Sequence, residues 1–359
     1  MSLSSNASNV LLAKCRAKYG RRLTAQDIEA MISCRSVTEV TAYIKANTHY
    51  GSALAGFDPS TAHRRNVELA LSRELYEDFS SLCRYELSVG EWFGDYLLMR
   101  SEIEQIMSFL RLLSAGRPQE FLFSLPTFFV QHSEIDFTRL SQCRSYDDFL
   151  FVMRSSRYIK TLRAFIPLDG EQLDIALVEH GLYRQFYDTV WDIITTHYSG
   201  AAREELLDLI GAQLDILNFC HIYRLKKYYG ADSASVRAML LRGEHRIRAK
   251  VMKNIIEAPT ADEALELFIT KTPYGRQFDR EVFEEGGIET ATQSVVCVMA
   301  QRLLRSSIHP TTVLLSYIIL ATNELKDVTS IVEGVHYGLS PDEILSIITV
   351  DTTEKTSLS

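Results

Sequence analysis

The sequence predicts an all-α fold built from three tandem, similar helical units of about 110 residues each. Three observations carry this prediction. Long stretches of good helix formers place apolar residues at helical spacing, the 359 residues contain only 17 Gly and 8 Pro, and one start-to-end pattern occurs three times. Period-two alternation rich in β-branched residues does not extend beyond short runs, so no sheet is expected.

The first start motif, residues 34–51, reads CRSVTEVTAYIKANTHYG. Ser36 and Glu39 stand at capping-box spacing: the hydroxyl can accept the third helical amide while the acid reaches back to the cap amide. Val40, Tyr43 and Ile44 follow on one helical face, and Tyr50-Gly51 closes the motif. Helical periodicity then runs over 67–79 and 97–113, and the second of these stretches ends at Gly116. An apolar run at 121–130, interrupted by Pro126, reads as buried helix.

The second motif, residues 143–159, reads CRSYDDFLFVMRSSRYI. It repeats the pattern with Ser145 and Asp148, the apolar residues Phe149, Val152 and Met153, and Tyr158, but has Ile159 in place of the glycine. Helices are expected over 173–194 and 203–229. Arg224, Lys226 and Lys227 before Gly230 read as cations in a last helical turn followed by a glycine terminator.

The third motif, residues 258–275, reads APTADEALELFITKTPYG, with Thr260 and Glu263, then Ala264, Leu267 and Phe268, then Tyr274-Gly275. Helices are expected over 261–269, 288–304 and 325–335, the last ending at Gly338, and 313–321 reads as buried helix. Glu284-Glu285-Gly286-Gly287 reads as a helix end and turn. Ser340-Pro341-Asp342-Glu343 offers a cap, Pro at the first helical position and Glu at the third. Successive caps lie 109 and 115 residues apart, and Gly116, Gly230 and Gly338 lie 114 and 108 apart. The expected domains are therefore 1–125, 126–235 and 236–350, with a tail at 351–359.

Composition narrows the function classes. The net charge of −8 argues against gripping nucleic acid, because phosphate neutralisation supplies most of that affinity. The six cysteines are scattered without a CxxC pair, the N-terminus lacks a signal-peptide pattern, and a reduced, cytoplasmic setting is expected. No stretch approaches the roughly 20 apolar residues of a membrane span.

Catalytic chemistry finds no foothold. The nine histidines form no HExxH, and Cys220 beside His221 points about 100° away from it on a helix, so the pair cannot share a metal. Glu102 with Glu104, Glu204-Glu205 and Glu284-Glu285 read as solvated helix faces or helix starts rather than an acid–base pair. Neither GxxxxGK[ST] nor GxGxxG occurs. A peptide-capturing helical scaffold and an all-α metal-dependent hydrolase are the alternatives; the long repeat disfavours the first and the missing His/Asp cluster the second.

Residues 36–51, 260–275, 215–230 and 324–344, with the S-x-x-E then T-x-Y/P-Y-G pattern, resemble the C subunit of prokaryotic V-type (A/V-type) rotary ATPases, the counterpart of the d subunit of eukaryotic V-ATPase. The resemblance implies a non-catalytic funnel of three helical domains in pseudo-threefold arrangement, with no cofactor and no metal. It implies a socket between the central shaft (D- and F-type subunits) and the membrane rotor ring of proteolipid subunits. Such a part transmits torque between ATP hydrolysis or synthesis and ion transport. It is cytoplasmic and peripheral, without direct membrane insertion. Asp215, Asn218, Arg224 and Glu324 are the residues expected to contribute a polar interface. Arg157-Tyr158-Ile159 and Asp327 (Asn218 in the second unit) depart from the repeat.

Overall fold

The structure is a computed structural model and describes residues 3–58, 64–85, 92–123, 125, 130, 132–167, 172–241 and 246–349. It is all α, with no strand among the described residues. Contacts divide the chain into two compact units, Met1–Gly90 with Tyr198–Ser359, and Glu91–His197. These cuts, after residues 90 and 197, precede the repeat boundaries expected at 125/126 and 235/236 by 35 and 38 residues. The reason is that each long helix groups with the start motif that follows it, whereas the repeat was phased on the start motif.

The Glu91–His197 unit holds α5 (Tyr96–Ser114), α6 (Phe137–Leu140), α7 (Tyr146–Val152), α8 (Ile159–Arg163) and α9 (Ile175–His197). Its centre is a run of rings. Phe109 of α5 meets Phe121 at 5.4 Å and Phe149 at 5.6 Å, and Phe121 meets Phe137 at 6.3 Å between centroids. The expected apolar helix at 121–130 is a 3₁₀ turn over Pro118–Phe123, and residues 124, 126–129 fall outside the described residues.

The other unit takes α1 (Leu3–Tyr19), α2 (Ala25–Ile32), α3 (Val37–Asn47) and α4 (Arg64–Cys83) from the N-terminal stretch. The C-terminal stretch gives α10 (Gly200–Tyr229), α11 (Ser233–Ala238), α12 (Ala249–Glu257) and α13 (Ala261–Lys271). It continues with α14 (Arg280–Ser306), α15 (Pro310–Tyr337) and α16 (Pro341–Ile347). One hydrophobic core joins the two stretches: Leu23, Ile28, Val40, Ile44, Tyr50 and Val67 pack with Val328, Ile331, Val332 and Ile344. Every residue from Thr311 to Leu320 of α15 is buried. No helix among the described residues is long and apolar enough to cross a membrane.

Local rules explain the ends. The three long helices α5, α10 and α15 stop at Gly116, Gly230 and Gly338, whose φ values are +71°, +57° and +71°. The left-handed turn lets the next amide bond back into the last turn, Arg117 N to Leu112 O at 2.8 Å and Leu339 N to Gly334 O at 2.9 Å. Ser340 forms the full capping box with Glu343. At 284–287 the expected helix end and turn is found: α14 is two helical segments that meet at a kink at Gly287, φ +81° and ψ −176°, the second running through the stretch expected at 288–304.

Candidate functional site

The strongest recurring arrangement is a tyrosine latched to a buried carboxylate. In each start motif a hydroxyl-bearing cap begins the helix, with Ser36, Ser145 and Thr260 accepting from the amides of Glu39, Asp148 and Glu263. Asp148 accepts the Ser145 and Arg144 amides at 3.2 and 2.9 Å, and Glu39 accepts the equivalent Arg35 amide at 2.8 Å. A second hydroxyl, Thr48, Ser156 or Thr272, lies two residues before the tyrosine and accepts its amide at 3.2 to 3.3 Å. Thr48 and Thr272 also donate to the last turn, to Ile44 O and Phe268 O at 2.7 Å. Each tyrosine is thereby held in a turn: Tyr50 and Tyr274 in tight 3₁₀ turns, His49–Gly51 and Pro273–Arg276, and Tyr158 in the turn that leads into α8.

The glycine after it answers to space. A Cβ on Gly51 would stand 2.6 Å from Lys45 O, and one on Gly275 only 1.7 Å from Ile269 O. In the second motif the chain enters α8 directly after Tyr158, and Ile159 occupies the equivalent place.

Each phenol then donates to an acid on a long helix. Tyr158 Oη reaches Glu102 Oε2 of α5 at 2.8 Å, Tyr274 Oη reaches Asp215 Oδ2 of α10 at 2.8 Å, and Tyr50 Oη reaches Glu324 Oε1 of α15 at 2.9 Å. The acids have further donors. Asp215 Oδ2 accepts the amides of Arg246 and Ile247 at 2.9 and 3.2 Å, and Glu324 Oε2 accepts Leu23 N at 2.8 Å. Glu102 Oε1 accepts Ser133 Oγ at 2.6 Å, and that hydroxyl in turn accepts Ile135 N. Each acid thus fixes both the tyrosine and the segment entering the start motif.

Three residues on, the long helices carry a second clamp. Asn218 exchanges two bonds with the Leu241 backbone, and Asp327 accepts Thr349 N at 2.8 Å. The Asp327/Asn218 difference is therefore one of chemistry within a shared task, tying down the segment that follows the helix end.

Of the residues expected at a polar interface, Asp215 and Asn218 are turned inward, 0 % and 3 % exposed. Glu324 is largely buried, and Arg224 is exposed beside Glu289 at 3.3 Å. Glu102, which reads as a solvated helix face in the sequence, is 2 % exposed. What marks it in the sequence is its offset of 14 residues from Gly116, the same as Glu324 from Gly338.

Electrostatics set Glu324 apart. Burial pushes its carboxyl up to about 6, against the lowering effect of the Leu23 amide and the Tyr50 hydroxyl. It lines two clefts, one with Arg22, Asn323 and Asp327 and another with His49, Glu74 and Asp78. His49 Nε2 is 3.5 Å from Glu324 Oε1, and burial lowers the imidazole pKa. The phenols of Tyr50, Tyr158 and Tyr274 are all driven above their ordinary range, first by burial and then by the facing acid. Among the described residues no group of His, Cys, Asp and Glu is placed to hold a metal ion.

Comparison with known proteins bears on the whole chain. The model of the ATP synthase (C/AC39) subunit family matches residues 11–347. The chain is 20 % identical over 345 residues to the C subunit of the A-type ATP synthase of Pyrococcus furiosus, covering 94 % of this chain and 88 % of that one. It is 23 % identical over 360 residues to the C subunit of the A-type ATP synthase of Halorubrum lacusprofundi, covering 97 % and 98 %. With the same subunit of Methanosphaera stadtmanae it shares 22 % identity over 268 residues, 73 % of this chain and 65 % of that one.

Proposed function

This chain belongs to the ATP synthase (C/AC39) subunit family, and we propose on that footing that it is the non-catalytic central-stalk socket of an A/V-type rotary ATPase. Its partners are the D- and F-type shaft subunits and the proteolipid rotor ring, and its place is cytoplasmic, peripheral to the membrane through that ring. The observation that carries this reading is the family match across residues 11–347.

The latches support a torque-bearing role. A part twisted between two partners must resist shear between its segments, and buried hydrogen bonds to a charged acceptor are costly to break. Each latch binds segments distant in sequence, 56 residues apart for Tyr158 and Glu102 and 274 for Tyr50 and Glu324. Three repeat units remain the reading, phased so that each begins with its long helix. They are then α5 with the second start motif, α10 with the third, and α15 with the first. In this phasing the N-terminal and C-terminal stretches complete one unit.

The test is reconstitution. An ATPase assembled without this chain is expected to hydrolyse ATP in its soluble head while losing ATP-driven ion transport, and adding the chain back restores it. Failure of the tagged chain to co-purify with either shaft or ring would overturn the assignment.

A further inference from the structure

Repetition supplies an internal control: what the fold requires recurs in all three start motifs, and what occurs in one alone is free for another use. The second motif has such a feature. Between Asp148 and Asp169 there is no acid, yet Arg154, Arg157, Lys160 and Arg163 fall there, four of the ten Lys and Arg in residues 91–197. Arg157 is engaged by Asp95 at 3.0 Å. Arg154, Lys160 and Arg163 are exposed and have no acid partner among the described residues.

The same stretch carries two exposed apolar side chains, one in the last turns of α7 and one three residues past the end of α8. Phe151 is 60 % exposed and Ile166 51 % exposed. The Arg154 guanidinium lies 4.3 Å from the Phe151 ring centroid, so cation and ring reach the surface together. In the other motifs the place of Phe151 is held by Ala42 and Glu266, and that of Arg163 by Ala55 and Asp279. Lys160 corresponds to Ser52 and Arg276, and Arg154 to Lys45 and Ile269. Lys45 donates to Phe57 O at 2.7 Å and, among the described residues, has no exposed ring beside it, whereas Arg154, which donates to Phe151 O at 3.0 Å, keeps its guanidinium against the Phe151 ring. No other motif joins cations without an acid partner to an exposed ring among the described residues.

We propose that Phe151, Arg154, Lys160, Arg163 and Ile166 form a docking surface for the headgroup layer of an anionic phospholipid bilayer. Long cationic side chains can meet lipid phosphates while Phe151 and Ile166 enter the adjoining apolar boundary, the division of labour of an interfacial anchor. The charge complementarity of three cations without an acid partner, with a ring and an isoleucine at the surface, fits the anionic headgroup layer and its apolar boundary, and an acidic protein is an outcome of the test. The contact is shallow and reversible. It spans nothing, and it follows the lipid charge rather than any single headgroup.

Sedimentation of the full-length protein with vesicles tests this, using pure phosphatidylcholine against phosphatidylcholine mixed with phosphatidylglycerol. The wild type is expected to bind the anionic vesicles alone and to be released by added salt. Arg154→Gln, Lys160→Gln and Arg163→Gln should each weaken partition roughly fivefold, and the triple variant roughly a hundredfold. Phe151→Ser should weaken it while leaving the salt dependence in place. An unchanged circular dichroism melt certifies each fold, since all the side chains are exposed. Equal binding to neutral vesicles, no binding at all, or full binding by the triple variant overturns the proposal. So does loss of sedimentation alongside variant-sensitive binding to polyglutamate, which would assign the surface to an acidic protein. Vesicle binding needs no ATPase assembly, so failure here leaves the rotor assignment untouched.

Discussion

The latches of Tyr274 with Asp215 and of Tyr50 with Glu324 lie in the same compact unit and use the same chemistry, but in different surroundings. Asp215 is fully buried, and one of its oxygens accepts three donors from a stretch within 59 residues of it. Glu324 divides its two donors between its oxygens, borders a cleft, and joins segments 274 residues apart. Repetition has therefore kept a bond without keeping its strength. The interior copy is a permanent tie, and the copy that joins the N-terminal and C-terminal stretches is the one open to solvent conditions.

The largest effect that separates the two should come from Asp215→Ala, which strands two amides and a phenol in the interior. We expect a loss of about 3 to 5 kcal/mol in urea unfolding. Glu324→Ala is expected to cost less, because water in the cleft can reach the freed donors. Equal losses would erase the distinction.

Glycine substitutions come next. Gly275→Ala must push back Ile269, and Gly51→Ala has a looser clash with Lys45. Overpacking of this kind costs about 1 to 3 kcal/mol, with the larger loss at Gly275 in thermal melts. Removing only the phenolic hydroxyls should cost about 1 to 2 kcal/mol in either latch, more for Tyr274→Phe than for Tyr50→Phe.

The smallest effect is on pH. Folding raises the Glu324 pKa to about 6. Its contribution is therefore fully present below the ordinary carboxyl pKa and is lost as pH rises through about 6. Stability should gain under about 1 kcal/mol between about pH 7.5 and about pH 5.5, and Glu324→Gln should flatten that gain. A wild-type and Gln profile of equal slope would show that other groups set it.

Much of this was legible in the sequence, for identifiable reasons. The caps at Ser36, Ser145 and Thr260 and the terminators at Gly116, Gly230 and Gly338 depend on neighbours within a turn or two, so local pattern reveals them. The partner of each tyrosine was not legible, because no spacing rule links Tyr50 to a carboxylate 274 residues away. Glu102 reads as an ordinary surface acid for the same reason: only the fold brings Ser133 and Tyr158 to it. Gly51 and Gly275 repeat visibly, but the carbonyls that forbid a side chain there belong to geometry. The break at Gly287 was legible too, because the glycine pair interrupts one run of helical periodicity and a second begins at Ile288.

The core shared by the N-terminal and C-terminal stretches also sets an order of synthesis. Leu23, Ile44 and Tyr50 leave the ribosome early, yet Glu324, on the helix that also carries Val328 and Ile331, follows 274 residues after Tyr50. At typical elongation rates that interval is on the order of 15 to 55 s. The segment Glu91–His197 is continuous and can close during that time. The helices around Ile28 and Ile44 therefore cannot complete their core until α15 is translated.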